Sequence, residues 1–270
     1  MKKSVRFRGA GGRCLVAGVW VLVVSAPGPA QVATPDTASA QPTLDALVDL
    51  SIRAYGGEDA LAGAGESLQR GTVTSAMRGG AEGRLLRVYQ RPIRLRVEID
   101  YPGNETEVRV LDGGRGWRNG AAASGPMYQS MLLQAARLGM PALLSEFRDG
   151  LEDRGSVQRE GKERRVLALG FHRGLEIQAE IDPETGRVLR SEGSISAPGG
   201  NVVLRFATEY SDFRRVDGLL VPFHEVNWAQ GRRTGETQLE TVEFGVSLPP
   251  GAFHPPVENP DDREVRRTRT

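Results

Sequence analysis

The chain has 270 residues, 35 Lys and Arg against 34 Asp and Glu for a formal charge of +1, and a single cysteine. So even a balance, with no basic run before Arg266-Arg267-Thr268-Arg269, excludes the concentrated positive face that nucleic-acid binding needs. One thiol excludes an internal disulfide and a cysteine metal site, and the length suits one large β domain or two small ones.

Residues 1–30 have the three zones of a cleavable signal peptide: basic Lys2, Lys3, Arg6, Arg8 and Arg13, the apolar run CLVAGVWVLVV, then the small, turn-prone SAPGPA. Cleavage is expected after Ala30, with Ala33 as the fallback site, and takes the formal charge from +1 to −4 by removing those five basic residues. The apolar run is roughly half the ~20 residues a membrane-spanning helix needs, and no later segment is long and apolar enough either. Cys14 opens the run instead of following it, so it is not the cysteine of a lipidation site. Export to the periplasm is the expectation.

Residues 31–42, rich in Ala, Pro and Thr, read as a flexible linker. Thr43 can cap a helix running to Ala54, with Leu44, Leu47, Val48, Leu50 and Ile52 as its apolar stripe and Gly56-Gly57 as its stop. A short helical turn over Asp59 to Leu61 follows. From Leu68 onward the apolar period becomes two. Arg94 to Asp100 and Leu175 to Ile181 alternate cleanly, as half-buried antiparallel strands do. Weaker strands are predicted at 85–90, 107–111, 166–171, 202–210, 219–228 and 238–244, separated by turns such as Gly79-Gly80, Asp112-Gly113-Gly114, Asp182-Pro183-Glu184-Thr185-Gly186, Pro198-Gly199-Gly200 and Asp217-Gly218.

Residues 126–147 break this period. Tyr128, Met131, Leu132, Ala135 and Leu138 fall at helical spacing, Gly139-Met140-Pro141 interrupts, and Leu143, Leu144 and Phe147 resume. The spacing predicts two short helices set into the meander. Three of the five methionines lie here, and methionine adapts to irregular apolar surfaces, so the pair is either a lid or a plain seal on the core. The tail, residues 257–270, is charged and expected to be disordered.

No catalytic constellation is present. His172, His224 and His254 form no metal-binding pair, and His224 and Glu225 are strand neighbours whose side chains point to opposite faces. Neither a Gly-x-Ser-x-Gly elbow nor a phosphate loop occurs. The sequence therefore names no catalytic residue, metal or cofactor, and an enzyme is not expected.

Residues 83–120, GRLLRVYQRPIRLRVEIDYPGNETEVRVLDGGRGWRNG, carry a family resemblance. A strand ending in Arg91-Pro92, an alternating strand, a loop, and a strand leading to Asp112-Gly113 and Trp117 resemble the order in LolA-like lipoprotein carriers. The helical insert and the Leu-x-x-x-x-Phe-x-Pro ending over 248–255 are similar too. Tyr55-Gly56-Gly57-Glu58-Asp59-Ala60-Leu61, Asp182 to Gly186, and Tyr210 to Phe223 look like the wider group of outer-membrane lipoprotein-sorting proteins. The likeness spans about residues 43–256.

The resemblance implies a mainly β (α+β) fold, a curved antiparallel sheet forming an unclosed half-barrel covered by the N-terminal helix and the helical lid. It implies a monomeric periplasmic carrier that shields acyl chains of lipoproteins or other lipids. Its partners would be an inner-membrane transporter and an outer-membrane acceptor. Leu86, Val88, Leu95, Val97, Ile99, Trp117, Met131 and Leu132 are the candidate lining, with core packing as the alternative use of the same apolar faces. By position, Arg91 takes the role of bonding the lid helices, or is a solvated strand-end charge. An envelope-stress sensor of related fold, or a structural envelope protein without ligand, is the other reading.

Overall fold

A computed structural model describes residues 42–104, 106–171, 175–196 and 203–255. The proposed leader, the linker up to residue 41, the turn at Pro198-Gly199-Gly200, His172 and the tail beyond 255 lie outside the described residues.

Helix α1 (Leu44–Tyr55) starts where Thr43 Oγ1 accepts the Ala46 amide at 3.3 Å, and it stops at Gly56, whose φ of +124° a side chain would resist. Helix α2 (Glu58–Gly63) follows. The chain then runs through six strands: β1 (Glu66–Ser75), β2 (Ala81–Gln90), β3 (Arg94–Asp100), β4 (Glu107–Asp112), β5 (Arg115–Arg118) and β6 (Ala121–Ala123). Helices α3 (Gly125–Leu138) and α4 (Ala142–Glu146) interrupt. Seven more strands complete the fold: β7 (Leu151–Arg159), β8 (Lys162–Phe171), β9 (Leu175–Ile181), β10 (Val188–Ser196), β11 (Val203–Val216), β12 (Leu219–Ala229) and β13 (Arg232–Phe244).

All thirteen strands form one antiparallel sheet in the order β6-β5-β4-β3-β2-β1-β13-β12-β11-β10-β9-β8-β7. Two meanders are therefore joined by pairing the first strand to the last, and β6 and β7 are left as edges. Helix α3 touches β3, β4 and β5 on one half and β9 and β10 on the other. Six inter-strand steps separate β3 from β10, about 29 Å along a flat sheet, whereas a helix is about 10–12 Å wide. Both contacts are possible only because the sheet curls around the helix into an unclosed half-barrel. Two glycines let the helix sit deep: a Cβ on Gly116 would lie 3.0 Å from the Tyr128 ring, and one on Gly193 would lie 2.6 Å from Leu133.

The concave face holds the core. Under α3, Leu95, Leu111, Met131, Leu132, Leu143 and Ile177 are buried together, and under α1, Leu47, Val48, Ile52, Leu167 and Ile181 form a second cluster. The convex face carries a small cluster of its own, Val88, Val110 and Phe253 with Leu68, Trp117 and Leu248 against it. It is held by Arg96, whose Nη1 donates to the carbonyls of Ala252 (3.3 Å) and His254 (3.1 Å).

Candidate ligand-binding site

The trough between the sheet and α3 is not filled. One open space, about 860 Å³ including its mouth, lies beside the C-terminal end of α3 and is walled by Tyr55, Leu61, Tyr89, Leu138, Met140, Leu219, Leu220, Leu239 and Phe244. A second, about 1150 Å³ including its mouth, lies along the other flank, against Val73, Leu85, Val97, Ile99, Leu133, Ile177 and Phe206. Arg87 and Arg137 border both.

Register decides which side chains reach this interior. Residues directly opposite on paired strands share a face. Leu85, Arg87 and Tyr89 of β2 stand opposite Ile99, Val97 and Leu95 of β3, so these six face inward. Leu95 is fully buried, and Val97 and Ile99 line the second space. Met131 and Leu132 are buried on the face of α3 that packs into the same core. Leu86, Val88 and Trp117, expected to line the cavity, do not. Leu86 and Val88 alternate with the inward set, and Trp117 lies opposite outward-facing Val110. Val88 and Trp117 instead pack with Phe253 on the convex face. Arg91 borders the first space, and its Nη2 donates to the Ala62 carbonyl at 3.3 Å. That bond ties it to α2, not to α3 or α4 as the family role would have it.

What the sequence reading missed is a polar belt across the middle of this apolar trough. Arg87 of β2 and Glu225 of β12 are each 2% exposed at their side chains. Arg87 Nη1 and Nη2 donate to the two Glu225 carboxylate oxygens at 3.0 and 2.6 Å, and its Nε donates to Gln69 Oε1 at 2.6 Å. From α3, Arg137 Nη1 donates to Thr208 Oγ1 (2.6 Å) and Asn227 Oδ1 (3.0 Å), while its Nη2 stands 3.8 Å from Glu225. The buried Arg137 Nε has no hydrogen-bond partner among the described residues. Tyr210 shares a 2.6 Å hydrogen bond with Ser191 beside the group.

Burial alone would raise the Glu225 carboxyl, but the Arg87 charge and its two hydrogen bonds, followed by Arg137, hold it below the ordinary carboxylate value. Burial lowers the Arg137 guanidinium, with the Glu225 charge opposing. Burial also pushes the Tyr210 hydroxyl up to about 12, so it is neutral. A guanidinium stays protonated in proteins. The belt thus holds two cations and one anion. The available signal was a charged residue at an inward strand position, Arg87 between Leu85 and Tyr89 and Glu225 after Phe223.

No protein-family model matches the sequence, and no curated protein matches it. Among solved structures, the chain is similar to a LolA superfamily protein from Nitrosomonas europaea, with a TM-score of 0.51 at 11% identity over 78% of this chain and 97% of that one. A DUF1329 family protein from Desulfovibrio piger aligns with a TM-score of 0.42 at 12% identity, over 78% of this chain and 97% of that one. The MucA/MucB complex of Pseudomonas aeruginosa aligns with a TM-score of 0.27 at 12% identity, over 77% of this chain and 60% of that one. Of these three, the Nitrosomonas protein is similar enough in backbone to bear on the fold, and it bears on the fold alone. The fold is LolA-like, an unclosed curved sheet around a central helix with open interior space.

Proposed function

We propose that this chain is a periplasmic binding protein that shelters acyl chains, those of lipoproteins or other lipids, in the trough between its sheet and α3. One observation carries this reading: a deeply curved sheet wraps a helix and still leaves two spaces unfilled, one of about 860 Å³ including its mouth with mainly apolar walls and one of about 1150 Å³ including its mouth with mixed polar and apolar walls. The driving force is ample, since each methylene removed from water contributes ~0.8 kcal/mol, on the order of 10 kcal/mol for one long chain. In the carrier form of this reading the cargo comes from an inner-membrane transporter and goes to an outer-membrane acceptor.

The reading is not catalytic. The one triad-like row among the described residues, Ser211 Oγ 2.7 Å from His224 Nδ1 with His224 Nε2 on Glu236, crosses β11, β12 and β13 on the face opposite Glu225, away from the trough.

The test is expression of the full chain in a bacterial host, recovery from the periplasm without detergent, and native mass spectrometry with extraction of bound material. The expected result is a product beginning at Gln31 that carries a lipid or acylated peptide, lost when a charge enters the wall as Leu138→Asp. A protein that arrives empty and takes up no added fatty acid or phospholipid overturns the proposal.

A further inference from the structure

We propose that the trough is built for an amphiphile with one anionic head, a carboxylate or a phosphate, seated on Arg137 with its tail along the walls of the first space. This deepens the acyl-sheltering reading and rests on it.

Arg87 and Glu225 satisfy one another as a two-bond pair, leaving Arg137 as the surplus cation of the belt. Its close hydrogen-bond acceptors, Thr208 Oγ1 and Asn227 Oδ1, are neutral groups, and the Glu225 carboxylate already engaged by Arg87 is 3.8 Å away. Its Nε is buried without a partner, and 19% of its side-chain surface remains exposed, on the boundary of both spaces. Now fill the first space with an acyl chain. The tail strips water from that remaining surface and leaves two buried guanidinium groups sharing the single Glu225 carboxylate, an unfavourable excess of one positive charge. A neutral ligand bears that cost in full. An anionic head removes it and brings the belt from one excess positive charge to none, through charge-assisted bonds of the kind a guanidinium fork makes to carboxylate or phosphate.

The surroundings agree. Arg91 borders the same space and adds to the positive field, while Arg109, which borders the second, is already paired with Glu107 at 2.7 Å. The apolar walls begin beside the guanidinium, at Leu138 and Met140, so head and tail sites are contiguous.

The test is equilibrium dialysis of the full chain at pH 8 against radiolabelled laurate, dodecyl phosphate and 1-dodecanol, which share a tail and differ in the head. Laurate and dodecyl phosphate are expected to bind at least tenfold more tightly than dodecanol. Arg137→Gln should abolish the preference and Arg137→Lys should keep most of it. Asn227→Asp is the decisive variant. It leaves Arg137 and its acceptor in place but supplies a counter-charge within the protein, so it should weaken the two anions about tenfold and strengthen dodecanol, which no longer bears the cost of burying an excess charge. Variants are compared only where their thermal unfolding remains cooperative. Equal binding of all three ligands overturns the head-group assignment and leaves the sheltering reading standing. Failure of all three to bind overturns both. Displacement of laurate by inorganic phosphate as readily as by dodecyl phosphate makes this a free-anion site and overturns the tail assignment.

Discussion

Replacing Glu225 with Gln keeps the volume and removes one charge from the middle of the trough. In the folded chain that carboxylate receives Arg87 at 2.6 and 3.0 Å and lies 3.8 Å from Arg137, with both members of the closer pair 2% exposed. Glu225→Gln strands two guanidinium groups in the interior. Removing one partner of a buried pair costs about 3–5 kcal/mol, a fifth or more of the 5–15 kcal/mol that holds an ordinary domain together. At roughly 2–4 °C per kcal/mol for a domain of this size, the melting temperature should fall by about 6–20 °C. Urea unfolding followed by tryptophan fluorescence at pH 7 measures the loss directly. The pH dependence supplies a second check. Because the Glu225 carboxyl is depressed in the folded state, its contribution is complete above the unfolded value of 4.5 and is lost as pH falls through the lower folded value. The stability gap between wild type and Glu225→Gln should therefore be full at pH 7 and close progressively below about pH 4.5. The double substitution Arg87→Leu with Glu225→Leu removes both charges of the pair and should recover most of the loss. A single-variant cost under about 1 kcal/mol, or a gap that does not narrow in acid, would refute the belt as described.

Gly71 sits where β1 slips register against β13, and an added Cβ would run into the Gln238 carbonyl and lie 2.8 Å from Leu239 Cα. Gly71→Ala should cost at least about 2 kcal/mol in urea unfolding, whereas Gly114→Ala, in open space, should be close to neutral. Trp117→Ala should destabilise by roughly 1–3 kcal/mol through the convex cluster with Val88, Val110 and Phe253. The same variant should leave ligand affinity within about twofold, because Trp117 does not border the trough. A tenfold change would reverse that placement.

How far the sequence could be read follows from which faces are buried. Arg94–Asp100 and Leu175–Ile181 were legible to the residue as β3 and β9, because strict alternation survives where one face meets the core and the other meets water. Helices α1 and α3 were legible by their 3.6-residue stripes, and α1 by its Thr43 cap as well. Strand β7 was not, since LEDRGSVQR lies on the sheet edge with little buried on either side and so has no apolar period. Strand β10 was hidden for the opposite reason: its inward positions Ser191 and Gly193 are small because the belt and Leu133 of α3 occupy the space a large residue would fill. In β2, LLRVYQ offers apolar residues to both faces, so alternation alone could not tell Leu85 and Tyr89 from Leu86 and Val88. Pairing with β3 settles it, and puts Arg87 inside.

A chain selected only for a stable half-barrel would place apolar residues at positions 87, 137 and 225, since a buried ion pair seldom contributes more than a well-packed apolar replacement. Here three strand positions and one helix position break the local pattern together: Gln69, Arg87 and Glu225 from the sheet, and Arg137 from α3. They converge on the boundary between the two open spaces, and nowhere else along the trough walls is a buried carboxylate engaged by a buried guanidinium among the described residues. Departures from the folding pattern that cluster at a cavity are where function is expected to override packing. A trough meant only to repel water from acyl chains gains nothing from two guanidinium groups at its centre. One that must also recognise a head group needs a charge held rigidly at the end of an apolar wall, and Arg137, clamped by Thr208 and Asn227, is held that way.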